Sequence, residues 1–255
     1  MTARLTGTVA LITGASSGIG AATAMALAQE GATAVIVARR RDRLDALAAR
    51  IVESGGTALV LEADVSDEAQ SRELVRRTVA EHGRLDILVN NAGLMLLGRV
   101  EGADTTQWRT MLEVNTAALM TLSHAALPHL LEAATRDPRQ VADIVNVSSV
   151  AGRVARMGSA AYNASKWAVN AFTEALRQEV TGRHLRVGVV EPGAVDTELA
   201  SHNTDPEVVA RMQQRFGGIE RLGAEDIAAA VLYMVTRPRR VAINELLIRP
   251  TEQAD

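Results

Sequence analysis

The sequence contains no cysteine. Disulfides, thiolate nucleophiles and cysteine-ligated metals are therefore excluded, and a reducing cytoplasm is the expected compartment. Phe, Trp and Tyr together make up only 2% of the 255 residues, so stacking on bases or sugars is not a general theme. Positive charge is not in excess. The formal net charge is −3 and the pI about 6.0, which removes the electrostatic footprint of a nucleic-acid binder. Arg39, Arg40, Arg41 and Arg43 do cluster, but as one local patch. No run approaches the roughly 18 apolar residues of a membrane span, and the apolar run near the first residues is too short for a signal peptide. The histidines form no cluster, so no metal is expected.

What is present fits one large α/β domain spanning residues 1–255. The hydrophobic fraction is 47% and the charged fraction 22%, both ordinary for a globular chain. Apolar strand-like runs alternate with amphipathic helices. Strands are predicted at 9–13, 33–38, 59–61, 85–89, 144–147, 187–190 and 245–248. Helices are predicted at 19–30, 41–54, 67–82, 105–131, 161–181 and 225–235, with Pro128 able to kink or end the long one. Uninterrupted apolar strands joined by helices imply a doubly wound parallel sheet of about seven strands, covered on both faces: a three-layer Rossmann arrangement. The segment 198–222 breaks this rhythm and is the expected substrate lid, with Gly217 and Gly218 as possible hinges.

The first strand–helix turn reads Thr13-Gly-Ala-Ser-Ser-Gly-Ile-Gly20. Glycine there allows a tight turn and lets backbone N–H groups approach a phosphate at a helix N-terminus. Gly14, Ser16, Ser17, Gly18, Ile19 and Gly20 are thus candidate cofactor contacts. NAD binders usually place an acid at the end of the second strand, where it bonds the ribose 2′-hydroxyl. Here Ala38 stands in that place, followed by Arg39 and Arg40. An acid would repel a 2′-phosphate and an arginine would bind it, so NADP(H) is expected, with Arg39 as the main selecting residue and Arg40 in support.

Tyr162 and Lys166 stand four residues apart, on one face of a helix. A lysine ammonium beside a phenol is expected to lower its pKa from ~10 and make it a usable acid or base. Ser149 could hold the oxygen of a carbonyl or alcohol next to it. A Tyr-x-x-x-Lys pair alone could equally be a helix surface pair.

Taken in order, Thr13–Gly20, Asn90-Asn-Ala-Gly93, Asn115, Ser149, Tyr162-Asn-Ala-Ser-Lys166 and Pro192-Gly193 make the chain resemble the short-chain dehydrogenase/reductase family, in its single-domain branch of roughly 250 residues. The resemblance covers essentially the whole length. It implies that Tyr162 is the general acid/base, that Lys166 tunes it and binds the nicotinamide ribose, and that Ser149 orients the substrate oxygen. It implies that Asn115 helps hold a water relaying protons to Lys166. Asp64 and Val65, with Asn91, Ala92 and Gly93, would lie on the adenine side of the cofactor. Pro192, Gly193 and Thr197 would sit near the nicotinamide. Met95, Met157 and Arg153, with Ser149, are candidate substrate contacts. Arg153 and Arg156 could meet an anionic group or simply form ion pairs. A narrower likeness, through Ala151-Gly-Arg153 and Asn244–Thr251, is to bacterial NADP-dependent members such as clavulanate (clavaldehyde) dehydrogenases and short-chain 3-hydroxy-acid or serine dehydrogenases. The implied activity is reversible hydride transfer between NADPH and the carbonyl carbon of a small aldehyde or ketone, by a homo-oligomer, dimer or tetramer. Two other classes stand beside it. A catalytically silent NADP-binding sensor or scaffold would usually show a damaged tetrad. An isomerase or dehydratase of the longer branch would need more C-terminal length.

Overall fold

A computed structural model of the chain describes residues 3–254. Among these residues seven strands form one sheet: β1 (Val9–Thr13), β2 (Thr33–Ala38), β3 (Thr57–Glu62), β4 (Ile87–Asn90), β5 (Ala142–Val147), β6 (Leu185–Pro192) and β7 (Glu245–Ile248). Every pairing is parallel and the order is β3-β2-β1-β4-β5-β6-β7. The winding reverses between β1 and β4, and in such sheets ligands bind at that switch point, beyond the carboxyl ends of the strands.

Both faces of the sheet are buried. Strand residues alternate between them, so Ala10 and Ile12 join one apolar cluster and Val9 and Leu11 the other. The first face is covered by α1 (Gly18–Gln29), α2 (Arg41–Glu53) and α8 (Ala224–Val235). The second is covered by α3 (Glu68–His82), α5 (Ala118–Ala133) and α6 (Ala160–Val180). Two-sided burial is why these strands are continuously apolar. Each fully buried Leu, Ile or Val contributes roughly 1.5–3 kcal/mol. Among the described residues no helix is long and apolar enough to cross a membrane.

Two stretches differ from the sequence-based expectation. The single helix expected over 105–131 is three pieces: α4 (Thr105–Leu112), a π-helical turn at Glu113–Ala117, and α5. Pro128 does not end it, since α5 runs through to Ala133. The discontinuity lies at the π turn, where the Ala118 N–H reaches back five residues to the Glu113 carbonyl. One residue more than a normal turn is thereby accommodated, and Asn115 sits within it. The second difference is a helix inside the expected lid. After a short 3₁₀ segment at Glu198–His202 comes α7 (Pro206–Phe216). Asp205 caps it by accepting from the N–H groups of Glu207 and Val208, and Pro206 occupies its first turn.

Candidate active site

A cleft of about 1010 Å³ opens at the switch point. Most of the residues singled out by the sequence line it. Gly20, Asn115 and Arg153 do not reach its wall.

The glycine turn forms its floor at one end. Gly14 has φ +65°, and a Cβ there would lie 2.9 Å from the Ala92 backbone. At Gly20 a Cβ would lie 2.4 Å from the Gly14 carbonyl oxygen, so α1 can pack against the turn only without a side chain. The turn is tied to the segment just after β4 through Thr13 and Asn91. The Thr13 hydroxyl accepts from the N–H groups of Asn91 (3.0 Å) and Ala92 (3.1 Å). The Asn91 amide donates to the Thr13 carbonyl at 2.9 Å. Helices α3, α4 and α7 are each capped by an aspartate. By contrast, α1 has no side-chain cap and no acid in its first turn. Its N-terminal amides face the cleft, an arrangement suited to a diphosphate.

Past the end of β2 both Arg39 and Arg40 line the cleft, and they are held differently. Arg39 is 75% exposed, with only Asp64 nearby at 3.7 Å. Arg40 is the anchored one. Its guanidinium donates to the Ser16 hydroxyl at 3.1 and 2.9 Å and to the Ser17 hydroxyl at 2.9 Å. Both residues lie in the loop after β2, where Arg40 stands at the N-cap of α2 and is held toward the glycine turn by these bonds. Asp64 is fixed by the Ser66 N–H (3.0 Å) and hydroxyl (2.7 Å). Burial pushes its carboxyl up, and those hydrogen bonds outweigh that effect and leave it below its ordinary value.

At the other end stand Tyr162 and Lys166, 6% and 5% exposed, both on α6. Ser149 lines the same cleft as Tyr162, and its hydroxyl donates to the Pro192 carbonyl at 3.5 Å. Ser149 also accepts from the Ala151 N–H at 3.1 Å, which holds it on the 3₁₀ turn after β5. The Lys166 ammonium donates to the Val147 carbonyl at 2.9 Å and lies 5.9 Å from the Tyr162 ring centre. Lys166 is the only lysine in the sequence, so all the other Lys+Arg positions are arginine. The expected lowering of the tyrosine pKa is not met in this arrangement. Burial pushes the Tyr162 phenol up to about 12, with the Ser149 hydroxyl opposing. Burial pushes Lys166 down to about 8. Near neutral pH the tyrosine is therefore a proton donor.

Asn115 stands behind this pair. Its side chain accepts from the Leu94 N–H at 2.7 Å, and donates to the Leu94 carbonyl at 2.9 Å and the Ser165 hydroxyl at 3.0 Å. The π turn sets it beside Gly93, where a Cβ would stand at ordinary contact distance, 3.4 Å from the Asn115 oxygen and 3.8 Å from the Lys166 ammonium. Pro192 at the end of β6, with Gly193 and Thr197 after it, lies on the cleft wall, and Met95 and Met157 also line the cleft.

Arg153 corrects an expected substrate contact. Its guanidinium is held by Glu191 at 2.6 Å and Glu245 at 2.5 Å, tying β6 to β7 outside the cleft. Arg156 does line the cleft.

Two asparagines unnoticed in the sequence hold the mouth in shape. Asn163, 4% exposed, accepts from the Arg156 N–H and the Ser159 hydroxyl, and donates to the carbonyls of Ala151 and Val154. Asn203 donates to the Met95 carbonyl and accepts from the Leu97 N–H, joining the segment before α7 to the loop after β4. The signal for Asn163 was its place beside Tyr162; nothing local marked Asn203. Among the described residues no cluster of His, Asp or Glu could hold a metal ion.

Comparison with known proteins bears on this arrangement. The family described as short chain dehydrogenase matches residues 8–208. Dehydrogenase/reductase SDR family member 11 of Gallus gallus is 38% identical over 263 residues, covering 98% of each chain. Glycine betaine reductase ATRR of Emericella nidulans is 37% identical over 249 residues, but this chain spans only 19% of that protein. A crystal structure of a metagenomic short-chain oxidoreductase in complex with NADP is similar at 34% identity and TM-score 0.80, covering 97% of this chain and 99% of that one.

Proposed function

The chain belongs to the short-chain dehydrogenase family, and from that premise we propose that it is an NADP(H)-dependent oxidoreductase acting on the carbonyl carbon of a small aldehyde or ketone. The observation that carries the reading is that buried Tyr162 and Lys166, one helical turn apart on α6, line the same cleft as Ser149. The dinucleotide fits the other end. The uncapped amides of α1 would take the diphosphate, and Arg40 with Ser16 and Ser17 would take the 2′-phosphate. Asp64 and Val65 line the cleft and would lie on the adenine side. A solved relative in complex with NADP supports the same cofactor.

When bound, the nicotinamide supplies the hydride. Ser149 and Tyr162 hold the carbonyl oxygen between two hydroxyls. Tyr162, protonated at neutral pH, gives its proton to the developing alkoxide. Lys166 keeps positive charge near the phenolate that results, and Asn115 positions the loop at Leu94 from which a water could pass protons to Lys166. Alcohol oxidation runs the same path backward and needs the phenolate first, so it is favoured at high pH. Residues 198–222, with α7 at their centre, act as the lid. Exposed Trp167 on α6 and Leu112 on α4 suit assembly with further copies of the chain.

The test is a panel of aldehydes and ketones with NADPH, followed by the absorbance of the reduced cofactor. Tyr162→Phe is expected to cost ~10²-fold or more in turnover while leaving NADPH binding intact. Turnover within a few-fold of wild type in that variant would sink the assigned role.

A further inference from the structure

The anchored arginine of the cofactor end is not idle. One side of the Arg40 guanidinium is taken by Ser16 and Ser17, and the other is held by Glu198 at 2.8 Å. Glu198 also grips Arg43 with its second oxygen. Glu198 opens the 3₁₀ segment that leads into α7, and the residue before it, Thr197, packs over the glycine turn. A Cβ on Gly18 would lie 3.0 Å from the Thr197 methyl group. The first residue of the lid is thus tied to the place where a 2′-phosphate would bind.

A phosphate monoester carries more charge than a carboxylate, about −1.5 to −2 at pH 7, and three acceptor oxygens. It would find the Ser16 and Ser17 hydroxyls able to turn toward it, but one edge of Arg40 already bound. Resting on the NADP(H) reading above, we propose that Glu198 is a built-in competitor for Arg40 that sets the preference for the 2′-phosphate and couples its arrival to release of the lid's first turn. The two guanidinium groups, Arg43 foremost, hold the Glu198 carboxyl down at about 2, so the competitor stays charged at every working pH. The pair is part-exposed, 42% and 44%, which keeps the competition mild and reversible.

The experiment measures dissociation constants of NADPH, NADH and adenosine 2′,5′-bisphosphate by calorimetry, for wild type, Glu198→Gln and Glu198→Ala. Hydrogen exchange of residues 198–216 is followed in parallel. Both variants are expected to bind NADPH and the bisphosphate about two- to fivefold more tightly, with NADH unchanged. In wild type the bisphosphate should raise exchange at 198–202; in the variants exchange should be high from the start. Unchanged or weaker NADPH binding in both variants overturns the inference and leaves the cofactor reading standing. Equal tightening of NADH also overturns it, because the effect would then not involve the 2′-phosphate. Failure of wild type to bind NADPH at all overturns both.

Discussion

Replacing Asn163 by alanine tests whether the mouth of the cleft is held as described. The amide makes four hydrogen bonds, two accepted and two donated, at 3.2, 2.6, 2.6 and 2.8 Å. All four go to the loop between β5 and α6, and the residue is 4% exposed. Each bond contributes about 0.5–1.5 kcal/mol net. The four share one amide and are not independent, so the loss should be roughly 2–4 kcal/mol. For a domain of this size that corresponds to a melting temperature lower by roughly 5–15 °C. The kinetic effect should be uneven. The loop carries Ser149 at one end and Tyr162 at the other, while the glycine turn is held by Thr13 and Asn91 and does not depend on it. The turnover of carbonyl substrate should fall by up to ~10²-fold, the scale of a misplaced reacting group, with the NADPH dissociation constant within about twofold of wild type. Thermal unfolding, steady-state kinetics and calorimetry give the three readings. A variant that melts within about 1 °C of wild type would refute the packing argument, and equal loss of NADPH affinity and turnover would refute the positioning argument.

The phenol can be titrated directly, because only Tyr162 and Tyr233 are present. The ultraviolet difference between wild type and Tyr162→Phe isolates one group, expected to ionise near 12; a midpoint at or below 10 would defeat the burial argument. Stability should follow both buried groups. Between about pH 8 and 10 the folded chain has released the Lys166 proton and the unfolded chain has not, so stability rises. Above pH 10 the unfolded chain loses the Tyr162 proton first, and that gain is eroded; a steady fall from pH 8 in denaturant titrations would contradict the sign. Arg40→Ala should weaken NADPH binding by about tenfold or more and NADH little, whereas exposed Arg39→Ala should change either by less than threefold. The reverse ranking, read by calorimetry, would make Arg39 the selecting residue.

Much of this was legible because parallel strands buried on both faces are continuous apolar runs. β1, β2 and β7 match their expected bounds, and the glycine turn and the Tyr162–Lys166 spacing are local patterns. What escaped depends on direction or distance. That Arg40 rather than Arg39 is hydrogen-bonded to the glycine turn depends on the path of the loop after β2, which no local pattern states. The π turn is one extra residue in an otherwise regular helix, and no composition change marks it. Helix α7 did carry its signal, Asp205-Pro206, but lay in a stretch read for its departure from rhythm. Arg153 is drawn off by Glu191 and Glu245, which are 38 and 92 positions away in the chain. The pKa of Tyr162 was misjudged in sign because spacing reports the neighbour and not the burial.

The solitary lysine has a practical meaning beyond the proton path. With every other Lys+Arg position an arginine, the side chains of the described residues offer no primary amine but this enclosed one. Amine-directed chemistry on this protein is then a report on the cleft. An acylating reagent or aldehyde small enough to enter and compete for a weakly basic, enclosed amine would silence the enzyme at a single atom. One too bulky to enter would leave that atom untouched and the protein at work.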